Sequence, residues 1–283
     1  MEMKTTISLN LCELYEILIQ EYGSVEAIVE ECQAESDLEF ARVYVGSYFC
    51  DSYFLRTIEH ALYQLEQFAI RKKIRVTMVV PILMQKHVQA GLKIIDKVLH
   101  NFSIIDEVVV NDYGMLNYLS SNYDCGIIIG RLLRKRARDY RYPNYINSVE
   151  FEETKDIYLK YPRVFGADID VASTIIDCSG YDSRIVPCIH IPYTYITCGQ
   201  ICDFAALDAD IFQKFNDNKN CNFSCNRLYY AYKTETDHDL FRIGKAIYYK
   251  SVQYEILNTD NVRYVYFPFE LWEKRYEYFG SDK

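Results

Sequence analysis

IRVTMVVPIL, from Ile74 to Leu83, is apolar at almost every position until Pro81 interrupts it. A strand with one wet face would alternate, so a run like this reads as a strand covered on both faces. Its neighbours decide what covers it. Thr57 to Lys73 places Ile58, Leu62, Leu65 and Phe68 on one helical stripe and ends in a basic cluster. His87 to His100 repeats the stripe with Val88, Leu92, Ile95 and Leu99. Further out, ARVYVGSYF (Ala41 to Phe49), IDEVVVND and CGIIIGRLL read as strands, and YGMLNYLSS as a short helix. Short apolar strands alternating with helices imply a parallel sheet with helices on both faces. Repeated this often, the pattern predicts an α/β protein with a (β/α) TIM-barrel-like parallel barrel, complete or not. A doubly wound open sheet is the alternative, but no GxGxxG follows any strand.

The flanks are less regular. The first 40 residues read as a helical lead-in, with Asn10 capping a helix from Leu11 to about Gln20, Glu13 three residues on, and a second helix after Ser24. ADIDVAS, TIIDC and SRIVPCIHIPYTYIT continue the strand pattern in the second half. GKAIYYKSVQYEIL and RYVYFPFELW look like alternating β segments, which close the barrel or pack outside it. No repeat or low-complexity linker divides the 283 residues, so a single domain over 1–283 is expected.

Half the residues are hydrophobic and a quarter charged, as in an ordinary globular protein. No apolar run approaches the roughly 20 residues of a membrane span. No basic region leads into an apolar run at the N-terminus, so a cytoplasmic location is expected. A formal net charge of -9 argues against a bulk polyanion binder. GRLLRKRARDYR (Gly130 to Arg141) is the local exception, with six basic residues. It is either a solvated basic loop or a site for a carboxylate, phosphate or acidic partner. The 27 tyrosines are put down to codon bias.

Ten cysteines in a chain expected in a reducing compartment point to metal binding or catalysis before disulfides. Four fall in two C-x3-C pairs, Cys198/Cys202 and Cys221/Cys225. Four thiolates hold zinc or an iron–sulfur cluster, and this spacing does not choose between them. The bland alternative is that one or two are buried small hydrophobes. On a barrel, functional residues follow the strands. Cys50, the pair Asn111 and Asp112, and the pair Arg131 and Arg134 occupy such places. Of five histidines, His60, His87 and His100 fall on helices, at surface or helix-end positions. Only His190 lies near the cysteines, as a base, a ligand or a satisfied core residue.

In order along the chain, ARVYVGSYFC, VVVNDYGMLNYL, GIIIGRLLRKRARDYR and HIPYTYITCGQIC…CNFSC resemble the collagenase-like peptidase family, peptidase family U-thirty-two. The resemblance covers about residues 41–230 and is greatest to the UbiU/UbiV-like branch, on its UbiV side. It implies a [4Fe–4S] cluster and a part in oxygen-independent hydroxylation of a small molecule, with relatives acting on RNA. The implied ligands are Cys50, after the VYVG strand, with Cys202, Cys221 and Cys225; Cys198 is the alternate to Cys50. The spacer of 18 residues between Cys202 and Cys221 departs from the pattern. The resemblance also implies a second family member as partner and a small carboxylate donor, which Arg131 and Arg134 would bind. Asn111, Asp112 and His190 stand as catalytic candidates. Nucleic acid enters only as a substrate to be modified. Two other readings stand beside it. One is a peptidase, for which neither HExxH nor GxSxG is present. The other is a non-catalytic, zinc-stapled scaffold.

Overall fold

Parallel strands covered on both faces form either an open doubly wound sheet or a barrel inside a ring of helices, and this chain forms the barrel. A computed structural model describes residues 6–36, 38–133, 157–170, 184–207, 209–210, 212–214, 216, 221–233, 239–251 and 262–276. Its strands and helices run β1 Thr6–Asn10, α1 Tyr15–Tyr22, α2 Val25–Ser36, β2 Glu39–Gly46, α3 Asp51–Lys72, β3 Arg75–Val80, α4 Val88–Asn101 and β4 Ile105–Val110. They continue with α5 Tyr113–Asn122, β5 Gly126–Ile129, β6 Val164–Asp170, β7 Val186–Ile191, β8 Tyr193–Cys198, β9 Tyr230–Lys233, β10 Asp239–Ile243, β11 Ala246–Lys250, β12 Arg263–Tyr266 and α6 Phe269–Tyr276. Eight strands close a parallel barrel in the order β1-β12-β7-β6-β5-β4-β3-β2, with β2 paired back to β1. The parallel-barrel expectation therefore holds, and the barrel is complete.

The other four strands form a second, antiparallel sheet in the order β8-β11-β10-β9. It is inserted between the seventh and eighth barrel strands. Pro192 divides SRIVPCIHIPYTYIT into β7, which stays in the barrel, and β8, which leaves it; the Ile191–Pro192 peptide is cis. After this excursion β12 returns to pair with β1 and β7. Pro268 ends β12, so FELW begins α6 where alternation had suggested a strand. At the opposite end, the lead-in starts with a barrel strand, and α1 begins at Tyr15. Asn10 does not cap that helix; its Oδ1 accepts from Cys12 N–H at 3.0 Å.

β3 is buried at every position after Arg75, as the opening run implied. The N-terminal end of the barrel is pinned by charge. Arg42 forks onto Asp106 at 2.6 and 3.0 Å, and Arg263 pairs with buried Glu107. The barrel's C-terminal end and the second sheet meet across an aromatic layer that includes Phe49, Tyr195 and Tyr248. Among the described residues, no helix is long and apolar enough to cross a membrane.

Candidate thiol site at the barrel mouth

VYVGSYFC builds the first half of the site. Gly46 has φ +117, and a Cβ there would run into the Val79 carbonyl oxygen, so only glycine suits the turn. Ser47 N–H donates to that oxygen at 3.1 Å. Buried Glu13, also at positive φ, holds the turn from the β1 side. Its Oε1 accepts from Ser47 Oγ at 2.7 Å, Tyr48 N–H at 2.6 Å and Phe49 N–H at 3.3 Å. Glu13 is thus a long-range clamp and not the helix-cap partner its position suggested. Burial raises its carboxyl to about 6, against the pull of those hydrogen bonds. Ser47 Oγ accepts from Cys50 N–H at 2.8 Å, which fixes Cys50 at the start of α3.

Asp51, the first residue of α3, is buried and ties in two other loops. It accepts from Met84 N–H at 3.0 Å, lies 2.8 Å from His87 Nδ1, and has Lys245 Nζ at 3.8 Å. Burial alone would raise its carboxyl; the bonds from His87 and Met84 and the Lys245 charge outweigh burial and hold it below the usual range. His87 therefore belongs to a loop-to-helix clasp, in a short 3-10 turn before α4.

The second half comes from the chain beyond β8. Gly199 N–H donates to Lys245 O at 3.1 Å, and Asp203 pairs with Arg242. Phe204 stacks on Tyr230, with centroids 4.9 Å apart. Arg56 on α3 lies over the Phe223 ring at 4.3 Å, fastening the Cys221–Cys225 segment to the barrel. The result gathers thiols from three stretches. Cys50, Cys202 and Cys221 line one pocket of about 60 Å³. Burial pushes the Cys50 thiol up to about 12; Lys245 is the largest opposing influence, and Cys202 adds to the rise. Burial also raises Cys225, followed by the charges of Cys202, Cys50 and Cys221, so all four sulfurs are electrostatic neighbours. Cys198 sits apart on β8, opposite Ala246, with Tyr195 Oη donating to its sulfur at 3.4 Å. The nine described cysteines are all free.

The other candidates have structural partners. Arg131 is buried, forks onto Asp170 (Nε 3.1 and 3.0 Å from its oxygens), and is ringed by Tyr48, Phe49, Tyr195 and Tyr248 at 5.2–5.9 Å. Arg134 lies outside the described residues. Asn111 Nδ2 donates to Val80 O at 2.9 Å, and its Oδ1 accepts from Leu132 N–H at 3.2 Å. Asp112 caps α5 by accepting from Met115 N–H at 2.8 Å. His190 is buried in the barrel, its Nε2 3.2 Å from Asp168 and 3.4 Å from Tyr48 Oη. Burial, then the Arg131 charge, lowers its pKa, with Asp168 opposing. Asp51, Asp168, Asp170 and Lys245 were not singled out from sequence, and Glu13 only as a helix-cap partner. Each acts on residues far along the chain, which local spacing does not reveal.

No family model, curated protein or solved structure matches the chain. The donor set suits a soft metal or an iron–sulfur cluster, since sulfur ligands select these. Among the described residues, no three His, Cys, Asp or Glu side chains converge tightly enough to hold a metal ion as they stand. Cys50, Cys202 and Cys221 share a pocket, and Arg56 fastens the Cys221–Cys225 segment to α3.

Proposed function

We propose that this chain is an iron–sulfur protein of the collagenase-like peptidase family, in which Cys50, Cys202, Cys221 and Cys225 hold a [4Fe–4S] cluster. The observation that carries the reading is that Cys50, Cys202 and Cys221, from three separated stretches, line one pocket, with Arg56 fastening the segment that carries Cys225 to α3. When bound, such a cluster supplies one-electron transfer. The role that fits is oxygen-independent hydroxylation, or a related modification, of a small molecule, RNA or peptide, in concert with a second family member. A carboxylate donor would meet cationic groups at the site. Arg131 is buried against Asp170, and Lys86, Lys214 and Lys245 line the thiol pocket. Free thiols in number suit a reducing cytoplasm. In this reading Ser47 and Glu13 position Cys50, and Arg56 positions the Cys221–Cys225 segment.

The peptidase alternative has less support. The groups that approach His190 Nε2 are Asp168 and Tyr48, not a thiol or a serine. Anaerobic purification with iron, sulfide and zinc analysis tests the proposal. About four irons and four sulfides per chain are expected. Cys202→Ala should abolish cluster binding while Cys198→Ala largely spares it. A colourless protein holding zinc after anaerobic reconstitution would make the cysteines a structural staple.

A further inference from the structure

A chain of net charge -9 places three lysines, Lys86, Lys214 and Lys245, around the pocket that Cys50, Cys202 and Cys221 line. Lys86 and Lys214 are exposed, but the Lys245 side chain is only 9% exposed. Its position is built. Gly244 and Lys245 form the two-residue turn between β10 and β11, with Gly244 at φ +56. The Lys245 carbonyl is held by Gly199 N–H, and its ammonium lies 3.8 Å from buried Asp51, next to Cys50. Asp51 is in turn clasped by His87 and Met84 N–H. Four thiols must lose their protons to bind a metal, and the resulting anionic centre is costly in a partly buried pocket.

We infer that Lys245 is the charge-compensating residue of the thiol site, held by Asp51 so that its ammonium offsets the negative charge of a thiolate-bound metal or cluster. This rests on the thiol reading above. An ammonium there raises the affinity for a divalent metal held as an anionic thiolate complex. It also favours the reduced, more negative form of a cluster, raising its potential.

The test is anaerobic Co2+ titration of the reduced full chain, followed through thiolate-to-metal charge-transfer absorption, alongside the reduction potential of reconstituted protein. Lys245→Met should weaken Co2+ binding about tenfold or more, the scale of residues that support metal ligands. It should also lower the cluster potential. Lys245→Arg should keep both near wild type. Lys250→Met, at the far end of the strand that follows and paired with Glu270, should change neither. Equal affinity and potential for wild type and folded Lys245→Met would overturn the inference and leave the thiol site standing. Wild-type protein that takes up neither Co2+ nor iron would overturn the thiol reading and the inference together. Should Lys245→Met fail to fold, Lys245→Gln is read by the same criteria.

Discussion

Glu13 gathers three donors from a turn more than thirty residues away, and it does so from a left-handed backbone conformation. Burial raises its folded-state pKa from 4.5 to about 6, so between these values the folded chain binds a proton that the unfolded chain releases. Its contribution therefore falls as pH rises through that window, by about 2 kcal/mol. Urea unfolding of wild type and Glu13→Gln across the window should give profiles that diverge by that amount, and parallel profiles would discard the assignment. At this scale the sequence pointed to Cys50, Cys202 and Cys221, and these three line one pocket. It was not legible at Glu13 or Asp51, whose partners are fixed by the closed barrel. Spacing alone made Glu13 a local cap.

The turn from β2 into α3 is the element on which Cys50 depends. Gly46 is the position where an added methyl meets backbone, and the φ of +117 is strained for any other residue. Gly46→Ala should cost about 3 kcal/mol, read by thermal or urea unfolding, and weaken metal uptake in parallel. A stable variant with unchanged metal binding would show that the turn relaxes freely. Elements with long apolar periodicity, such as α3, α4 and β3, were readable because burial on one stripe or both faces dictates composition. Their ends were not. α3 starts at Asp51 and not near Thr57: buried Tyr53 and Phe54 carry its apolar stripe one turn further, and Ser47 fixes Cys50 ahead of it. The prolines at 192 and 268 change the chain's direction within runs that read as continuous β structure.

At the scale of the molecule, a buried ion pair adds to the aromatic layer that joins the two sheets. Asp170 at the end of β6 takes the Arg131 fork and also accepts from Tyr195 N–H on β8 at 2.9 Å. Arg131→Met leaves that carboxylate buried without its cation. It should cost about 3–5 kcal/mol, with part recovered in the Arg131→Met/Asp170→Asn double variant. Denaturant unfolding of the three proteins measures this, and a single variant as stable as wild type would remove the pair from the account of sheet docking. The parallel barrel was legible because consecutive strands such as β3, β4 and β5 end in unbroken apolar runs, each followed or preceded by a helical stripe. The second sheet was not, because β8 follows β7 with one residue between them and its partner β11 lies near the chain's end.

The insertion between β7 and β12 also imposes an order on synthesis. Ser8 pairs with Val265, so the barrel cannot shut until the chain through β12 has left the ribosome. Until then β1 and β7 each wait beside an empty place in the ladder, and such waiting edges invite pairing with the wrong chain. By that moment Cys50, Cys202, Cys221 and Cys225 have all been made. The nascent protein thus has every sulfur on hand before its last strand arrives.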